Sequence, residues 1–357
     1  MTTNALHTLA TPALVLDRSA FEKNLRTMAT ARPGRTLRPH VKAHKCTSIA
    51  RAQVEAGHAS FTCATPLEVI GLARAGVGDD VLLANECLDP HRLSEMARAQ
   101  HDTGITITVA VDSPLTVERA AECGISSVLI DVNVGLPRCG CAPDDARGLA
   151  ELAMRRGLVV RGVMGYEGHL MTAPEADKPT KVRACMSVLV DAFDEVAAVG
   201  GESCTIISAG GTGTYHVFDA DDPVLSRVNE IQAGSYALMD TSYGAQPLPF
   251  DQALWVVGTV ISTTSRDDAK WAVIDVGLKS LGMDHGNPTI DGASVWFCSD
   301  EHTTFSPADG ELPALGERVL VRPAHIDPTV AMHASIHVVP ALGENVTEVW
   351  PVDLRQW

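Results

Sequence analysis

ITITVAVDSPLTVERAAECGISSVLIDVN, residues 105–133, reads as an apolar β-rich run, an amphipathic helical segment and a second β-rich run. Two strands joined through a helix pair in parallel, so this stretch is one βα unit of a parallel sheet. Working outward, the same alternation holds from residue 36 to about 240. The β-rich runs are LRPHV (37–41), FTCA (61–64), VLLAN (81–85), ITITVAV (105–111), SVLIDVN (127–133), VVRGVMGY (159–166), CTIISAG (204–210) and IQAGSYALM (231–239). Eight parallel strands joined by helices predict a closed (β/α)8 barrel of the TIM kind, with its chemistry at the C-terminal strand ends. Ser19 with Glu22, and Thr65 with Glu68 behind Pro66, read as capping boxes that open two helices.

Beyond about residue 250 the texture changes to LWVVGTVISTT, WAVIDVG, SVWFCS, RVLVRPAH, SIHVVPA and VTEVWPV, with turns between and almost no helical periodicity. This predicts a separate C-terminal, mainly-β domain. The barrel is assigned to residues 12–245 and the β domain to residues 1–11 and 246–357. Strand-like PALVLD (12–17) precedes the barrel count and is expected to pair with the β domain, bringing the termini together.

The bulk properties agree with a large folded chain. At 357 residues there is room for two domains, and 45% hydrophobic with 20% charged residues excludes disordered and collagen-like classes. Lys+Arg number 28 against 44 Asp+Glu, a formal charge of −16 that repels a polyanion and argues against nucleic acid as a partner. The opening MTTNALHTLATPALVLDR lacks the basic region and apolar run of a secretory signal, and no later stretch approaches 18 uninterrupted apolar residues. The expectation is a cytoplasmic protein with no membrane partner. Nine cysteines without a C-x-x-C pair read as small buried apolar residues.

Three motifs carry chemistry. R-P-H-V-K-A-H-K (38–45) puts Lys42 at the end of the first expected strand. A lysine in a partly dry pocket there has its pKa lowered and attacks an aldehyde, the Schiff-base role; an ordinary surface lysine is the competing reading. His40 and His44, spaced i, i+4, would pair as metal ligands on a helix, and Pro39 argues against a helix. S-A-G-G-T-G-T (208–214) follows the seventh strand, where barrels bind phosphate with backbone N–H groups that glycine lets a ligand approach. It matches neither a P-loop nor G-x-G-x-x-G, and a turn that is geometry alone competes. Q-A-G-S-Y (232–236) offers the Gly234 and Ser235 amides to the same phosphate. In R-P-A-H-I-D-P-T-V (322–330), His325 and Asp327 lie two apart on what reads as an extended segment, so both face one side and can bind one divalent ion. Two ligands suit a catalytic metal better than a structural one, against a chance H-x-D match as the alternative.

Together with T-P-A-L-V-L-D (11–17), L-L-A-N-E (82–86), Q-A-G-S-Y-x-L-M-D (232–240), E-H (301–302) and H-x-D-P-T-V (325–330), these motifs span the chain. In that order they resemble the fold-type III, alanine racemase-like pyridoxal-phosphate enzymes. The nearest branch is that of D-threonine aldolase and the metal-dependent D-serine dehydratases. The resemblance implies pyridoxal phosphate on Lys42, its phosphate held by Gly211, Thr212, Gly213, Gly234 and Ser235, with Ser208 beside them. It implies Arg138, in D-V-N-V-G-L-P-R-C-G (131–140), near the cofactor's phenolic oxygen. It also implies His169, in G-Y-E-G-H-L (165–170), as general base, with Tyr166 lining the pocket; a packed histidine competes. Gln232 stands where alanine racemases carry an arginine facing the pyridine nitrogen. A neutral partner there weakens the electron sink and leaves more of the activation to the metal.

The resemblance implies a head-to-tail homodimer and a small D-amino acid substrate. It also discriminates between reactions, since the aldolases show H-x-D and the dehydratases H-x-C. Asp327 therefore favours retro-aldol cleavage of D-threonine-type substrates to glycine and an aldehyde, with manganese, magnesium or zinc at His325 and Asp327. Dehydration of D-serine or D-3-hydroxyaspartate is the alternative, and a non-catalytic pyridoxal-phosphate carrier a remote one. Ala331 departs from the family's D-P-T-V-N, which leaves the β-substituent open.

Overall fold

The structure is a computed structural model that describes residues 6–266, 269–309 and 311–357. The opening residues 1–5, placed above in the β domain and in the N-terminal reading, lie outside the described residues. The chain forms two compact units. One takes the chain up to Thr27, Ala43–Ser48 and Ser235–Asp353, and the other Met28–Lys42, Ile49–Gly234 and Leu354–Trp357.

Fifteen strands are described: β1 (Ala13–Asp17), β2 (Ser60–Cys63), β3 (Asp80–Leu83), β4 (Thr106–Val111), β5 (Ser127–Asp131), β6 (Val159–Met164), β7 (Ile206–Ala209), β8 (Glu230–Ile231), β9 (Leu254–Arg266), β10 (Ala269–Ile274), β11 (Ala293–Cys298), β12 (Thr303–Pro307), β13 (Arg318–Val321), β14 (Ser335–Val339) and β15 (Glu348–Pro351). In the second unit, β2 to β8 pair in sequence order as one parallel sheet. Helices Pro66–Ala75, Pro90–Thr103 and Pro114–Glu122 connect its first strands, and all three start the same way. A side-chain oxygen of Thr65, Asp89 or Ser113 caps the first free N–H groups, and proline follows where a missing N–H costs nothing. Leu82, Ala110, Leu129, Met164 and Ile206, one from each of β3 to β7, pack into a single buried cluster.

The first of the eight expected strands does not form. LRPHV makes only two single parallel bridges, Leu37 to Ile231 and His40 to Thr62. Arg38 N–H donates to the Ile231 carbonyl (2.9 Å), His40 N–H to that of Ala233 (3.1 Å), and Thr62 N–H to that of Pro39 (2.9 Å). The segment thus joins both edges of the seven-stranded sheet, β8 and β2, and completes the circle. Pro39 has no N–H to continue a ladder, and residues 41–43 curl into a 3-10 turn.

A buried ion network holds this closure. Arg38, 1% exposed, donates to both oxygens of Glu230 (2.9 and 2.7 Å) and to both of Asp80 (3.2 Å each). Arg161 donates to the same Asp80 oxygens (2.9 and 2.7 Å) and to Thr108 Oγ1. Burial alone would raise the Asp80 pKa, but the two guanidinium groups win and hold it well below the usual carboxylate range.

The last expected barrel strand, IQAGSYALM, is also cut short. Only Glu230–Ile231 is strand, and Ser235–Ala237 is a 3-10 turn whose Ser235 carbonyl accepts from Leu238 and Met239 N–H. The first unit carries an eight-stranded sheet in the order β11-β12-β10-β9-β1-β14-β15, with β13 also paired to β9. Within it β1 runs antiparallel to β9 and parallel to β14. Strand β12, TTFSP, has no counterpart in the sequence reading because the run is only five residues long and ends in Ser-Pro, and proline cannot donate to a ladder. The Ser19–Glu22 box is replaced by Asp17, whose Oδ1 accepts from Ala20 N–H (3.0 Å) as the helix opens at Arg18. Among the described residues no helix is long and apolar enough to cross a membrane.

Candidate active site

In the second unit the expected residues gather at the C-terminal strand ends. Lys42 is half-buried in the 3-10 turn that follows the closing segment, its N–H donating to His40 Nδ1 at 3.4 Å. The i, i+4 histidines form no helical pair; His44 is buried and its Nδ1 accepts from Cys46 N–H (3.2 Å).

The glycine-rich loop after β7 is wholly buried from Ser208 to Thr214. A Cβ on Gly213 would fall 2.2 Å from the Met171 carbonyl oxygen, and one on Gly234 2.4 Å from that of His40. Both positions demand glycine because backbone passes over backbone. Gly211 N–H is taken by Thr214 Oγ1 (3.2 Å). Glu167, which the sequence reading passed over, braces this loop: it is fully buried and accepts from Gly210 N–H (3.2 Å) and Thr214 Oγ1 (2.6 Å). Burial raises its pKa, against the lowering pull of those donors. A lone acid directly after the apolar strand end GVMGY (162–166) was the available signal. On the neighbouring strand end Gln232 Nε2 donates to Ser208 Oγ (3.0 Å). Ser235 belongs to the first unit, buried at the head of its turn.

Arg138 lies exposed in the loop after β5, its guanidinium over the Tyr166 ring at 5.2 Å. His169 is exposed beyond β6, with Cε1 3.4 Å from where a Gly135 Cβ would stand. At the end of β5 the buried Asp131 carboxyl sits beside Glu86. Burial first, then that acid, push its pKa well up.

In the first unit His325 and Asp327 come together, though not on an extended segment. Ile326–Ala331 is a short helix with His325 at its N-cap and Asp327 in its first turn. The turn is fixed from outside: buried Asp240 accepts Ile326 N–H (3.0 Å), and Lys45 Nζ donates to the Asp327 carbonyl (3.0 Å). His325 Nε2 stands 3.7 Å from Asp327 Oδ2, and its Nδ1 is 2.7 Å from Asp284 Oδ2. Asp284, His285 and His325 bring three donor atoms within 4.8 Å of one another. No spacing in the chain links residues 284 and 285 to 325.

An alanine racemase N-terminal domain model matches residues 16–242. The chain is 32% identical to a D-threonine aldolase of an Arthrobacter species, covering 97% of this chain and 92% of the relative. It belongs to the D-threonine aldolase and D-serine dehydratase-like family of alanine racemase-fold enzymes. A serine dehydratase domain model covers residues 253–339. A 3-hydroxy-D-aspartate aldolase of Paracoccus denitrificans is also 32% identical, over 97% of this chain and 92% of its own length. The crystal structure of D-threonine aldolase from Filomicrobium marinum superposes with a TM-score of 0.88 at 33% identity, over 98% of this chain and 96% of that one. D-threo-3-hydroxyaspartate dehydratase from Delftia superposes with a TM-score of 0.85 at 27% identity, over 99% and 100%. On this kinship the chain is an enzyme, a carbon–carbon lyase like the two aldolases.

The alanine racemase fold implies pyridoxal phosphate, and the second unit's residues fit it: a half-buried lysine, and buried glycine turns where only glycine backbone fits. A divalent cation also fits the first unit. An ion about 2.1 Å from each ligand spans the 3.7 Å between His325 Nε2 and Asp327 Oδ2.

Proposed function

We propose that this enzyme cleaves D-β-hydroxy-α-amino acids of the D-threonine type to glycine and an aldehyde, using pyridoxal phosphate and a divalent cation. One observation carries the reading: His325 Nε2 faces Asp327 Oδ2 at 3.7 Å in a chain that matches D-threonine aldolase along nearly its whole length. When bound, pyridoxal phosphate supplies the aldehyde that captures the substrate amine and the electron sink for charge at Cα, and the cation supplies a Lewis acid for the β-hydroxyl.

The chain's own residues do the rest. Lys42 Nζ is the nucleophile toward the aldehyde. Lys45 is tied to the Asp327 carbonyl and is not the competing amine. Amides of Thr212, Gly213 and Gly234 would hold the phosphate, and Glu167 keeps the loop of Thr212 and Gly213 in shape through Gly210 and Thr214. Arg138, its guanidinium over the Tyr166 ring, would donate to the cofactor's phenolic oxygen. His169 takes the β-hydroxyl proton as the Cα–Cβ bond breaks. A carboxylate at position 327 is a hard donor that accepts manganese, magnesium or zinc. The same reading carries a homodimer, supported by the family resemblance and tested by sedimentation of the purified chain.

Dehydration is the second reading, favoured by the 27% identity to the Delftia dehydratase. The deciding experiment offers D-threonine to the protein loaded with pyridoxal phosphate and manganese, and follows glycine in wild type, His325→Ala, Asp327→Ala and a chelated control. The reading expects glycine from wild type alone. Undiminished glycine after chelation or in Asp327→Ala overturns it.

A further inference from the structure

The geometry points to Asp284 as the residue that positions His325 for metal, accepting its Nδ1–H so that Nε2 is left as the ligand atom facing Asp327. This rests on the metal reading above. A metal-ligating histidine almost always has its other ring nitrogen held, and a carboxylate on that nitrogen fixes both tautomer and ring direction. The distances match that arrangement. Asp284 Oδ2 is 2.7 Å from Nδ1, a hydrogen bond, while Asp327 Oδ2 is 3.7 Å from Nε2, too long for a hydrogen bond and right for an ion between.

His285 completes the frame. Its ring stacks on that of His325 with centroids 3.9 Å apart and planes 8° from parallel. Imidazole lone pairs lie in the ring plane, so two parallel stacked rings aim their nitrogens side by side and cannot converge on one ion at about 2.1 Å. His285 is therefore a packing partner that fixes the ring plane, and Asp284 an outer partner, although their donor atoms cluster with those of His325.

The segment bearing both is strapped in place. Gly282 bridges to His325, and its N–H donates to Thr329 Oγ1 (2.9 Å), which in turn donates to the His325 carbonyl (2.7 Å). His333 Nε2 meets the Ser280 carbonyl at 3.0 Å. A Cβ on Gly282 would fall 2.2 Å from Pro328 Cγ, so the approach is as close as a side-chain-free residue allows. Asp284 and His285 themselves are exposed, and their replacement leaves the core intact.

The test is manganese affinity, measured by calorimetry and by electron spin resonance of free Mn2+. The full chain loaded with pyridoxal phosphate is used, with thermal unfolding of each metal-free variant alongside. Asp284→Ala is expected to weaken Mn2+ binding about 10–100-fold, with metal-free stability unchanged. Asp284→Asn, whose amide oxygen still accepts from Nδ1–H, is expected to recover most of the affinity. Wild-type affinity in Asp284→Ala overturns the inference. So does an Asp284→Asn as weak as the alanine variant, which would mark Asp284 as a direct ligand. No Mn2+ binding by the wild type overturns the metal reading itself, and this inference with it.

Discussion

Replacing Arg38 by methionine removes the guanidinium that joins the closing segment to Glu230 and Asp80 while keeping an unbranched side chain in the space. Asp80 retains Arg161, so the orphan is Glu230, whose side chain is 9% exposed. Removing one partner of a buried pair costs about 3–5 kcal/mol, because the remaining charge is left in a medium that cannot solvate it. In a unit of roughly 200 residues each kcal/mol moves the midpoint about 2–4 °C, so the expected loss is roughly 6–20 °C. The assay is thermal unfolding at pH 7 by circular dichroism, on Arg38→Met, Glu230→Gln and the double variant. Because the penalty comes from the stranded charge, the double variant should recover much of it, a coupling that independent sites do not show. A loss below about 1 kcal/mol, or a double variant that is merely additive, would refute the view that this buried network closes the sheet.

Lys42→Ala should abolish covalent trapping of pyridoxal phosphate by borohydride, and peptide mapping of the reduced wild type should find the label on Lys42; a label on Lys45 would contradict the assignment. Gly213→Ala forces a Cβ to within 2.2 Å of the Met171 carbonyl; it should cost about 1–3 kcal/mol and weaken the cofactor in an equilibrium titration, whereas unchanged affinity would remove the loop from the site. Glu167 has a folded pKa raised above its ordinary 4.5 by burial. The unfolded chain therefore releases that proton first as pH rises, and stability falls from about pH 4.5 upward to the folded pKa. Glu167→Gln removes that fall, so its midpoint should gain on wild type as pH rises, and a pH-independent difference would contradict the buried carboxyl.

Local chemistry was mostly readable where the cause was local, although Asp17 rather than Ser19 caps its helix. Thr65 caps with Glu68 and Pro66 as their spacing demanded, and the strand–helix alternation around residues 105–133 became β4, its helix and β5. The larger failures were decided at a distance. LRPHV has strand composition, but its bonds go to two different strands and its order comes from Glu230 and Asp80, far along the chain. IQAGSYALM turns because Gly234 must pass under the His40 carbonyl. H-x-D looked extended, yet Asp240, 86 residues before Ile326, holds its N–H and starts a helix there. His325 and Asp327 were legible as a pair of donors; Asp284 and His285 were not, since only the bridge at Gly282 brings them alongside.

The most direct test of the central claim is product analysis with D-threonine, D-3-hydroxyaspartate and D-serine offered separately to the manganese- and pyridoxal-phosphate-loaded enzyme. The account predicts glycine with an aldehyde from the first two, lost on chelation. A keto acid and ammonia as the products, with no glycine from any of the three, would contradict it and make the enzyme a dehydratase that uses Asp327 where its relatives use cysteine.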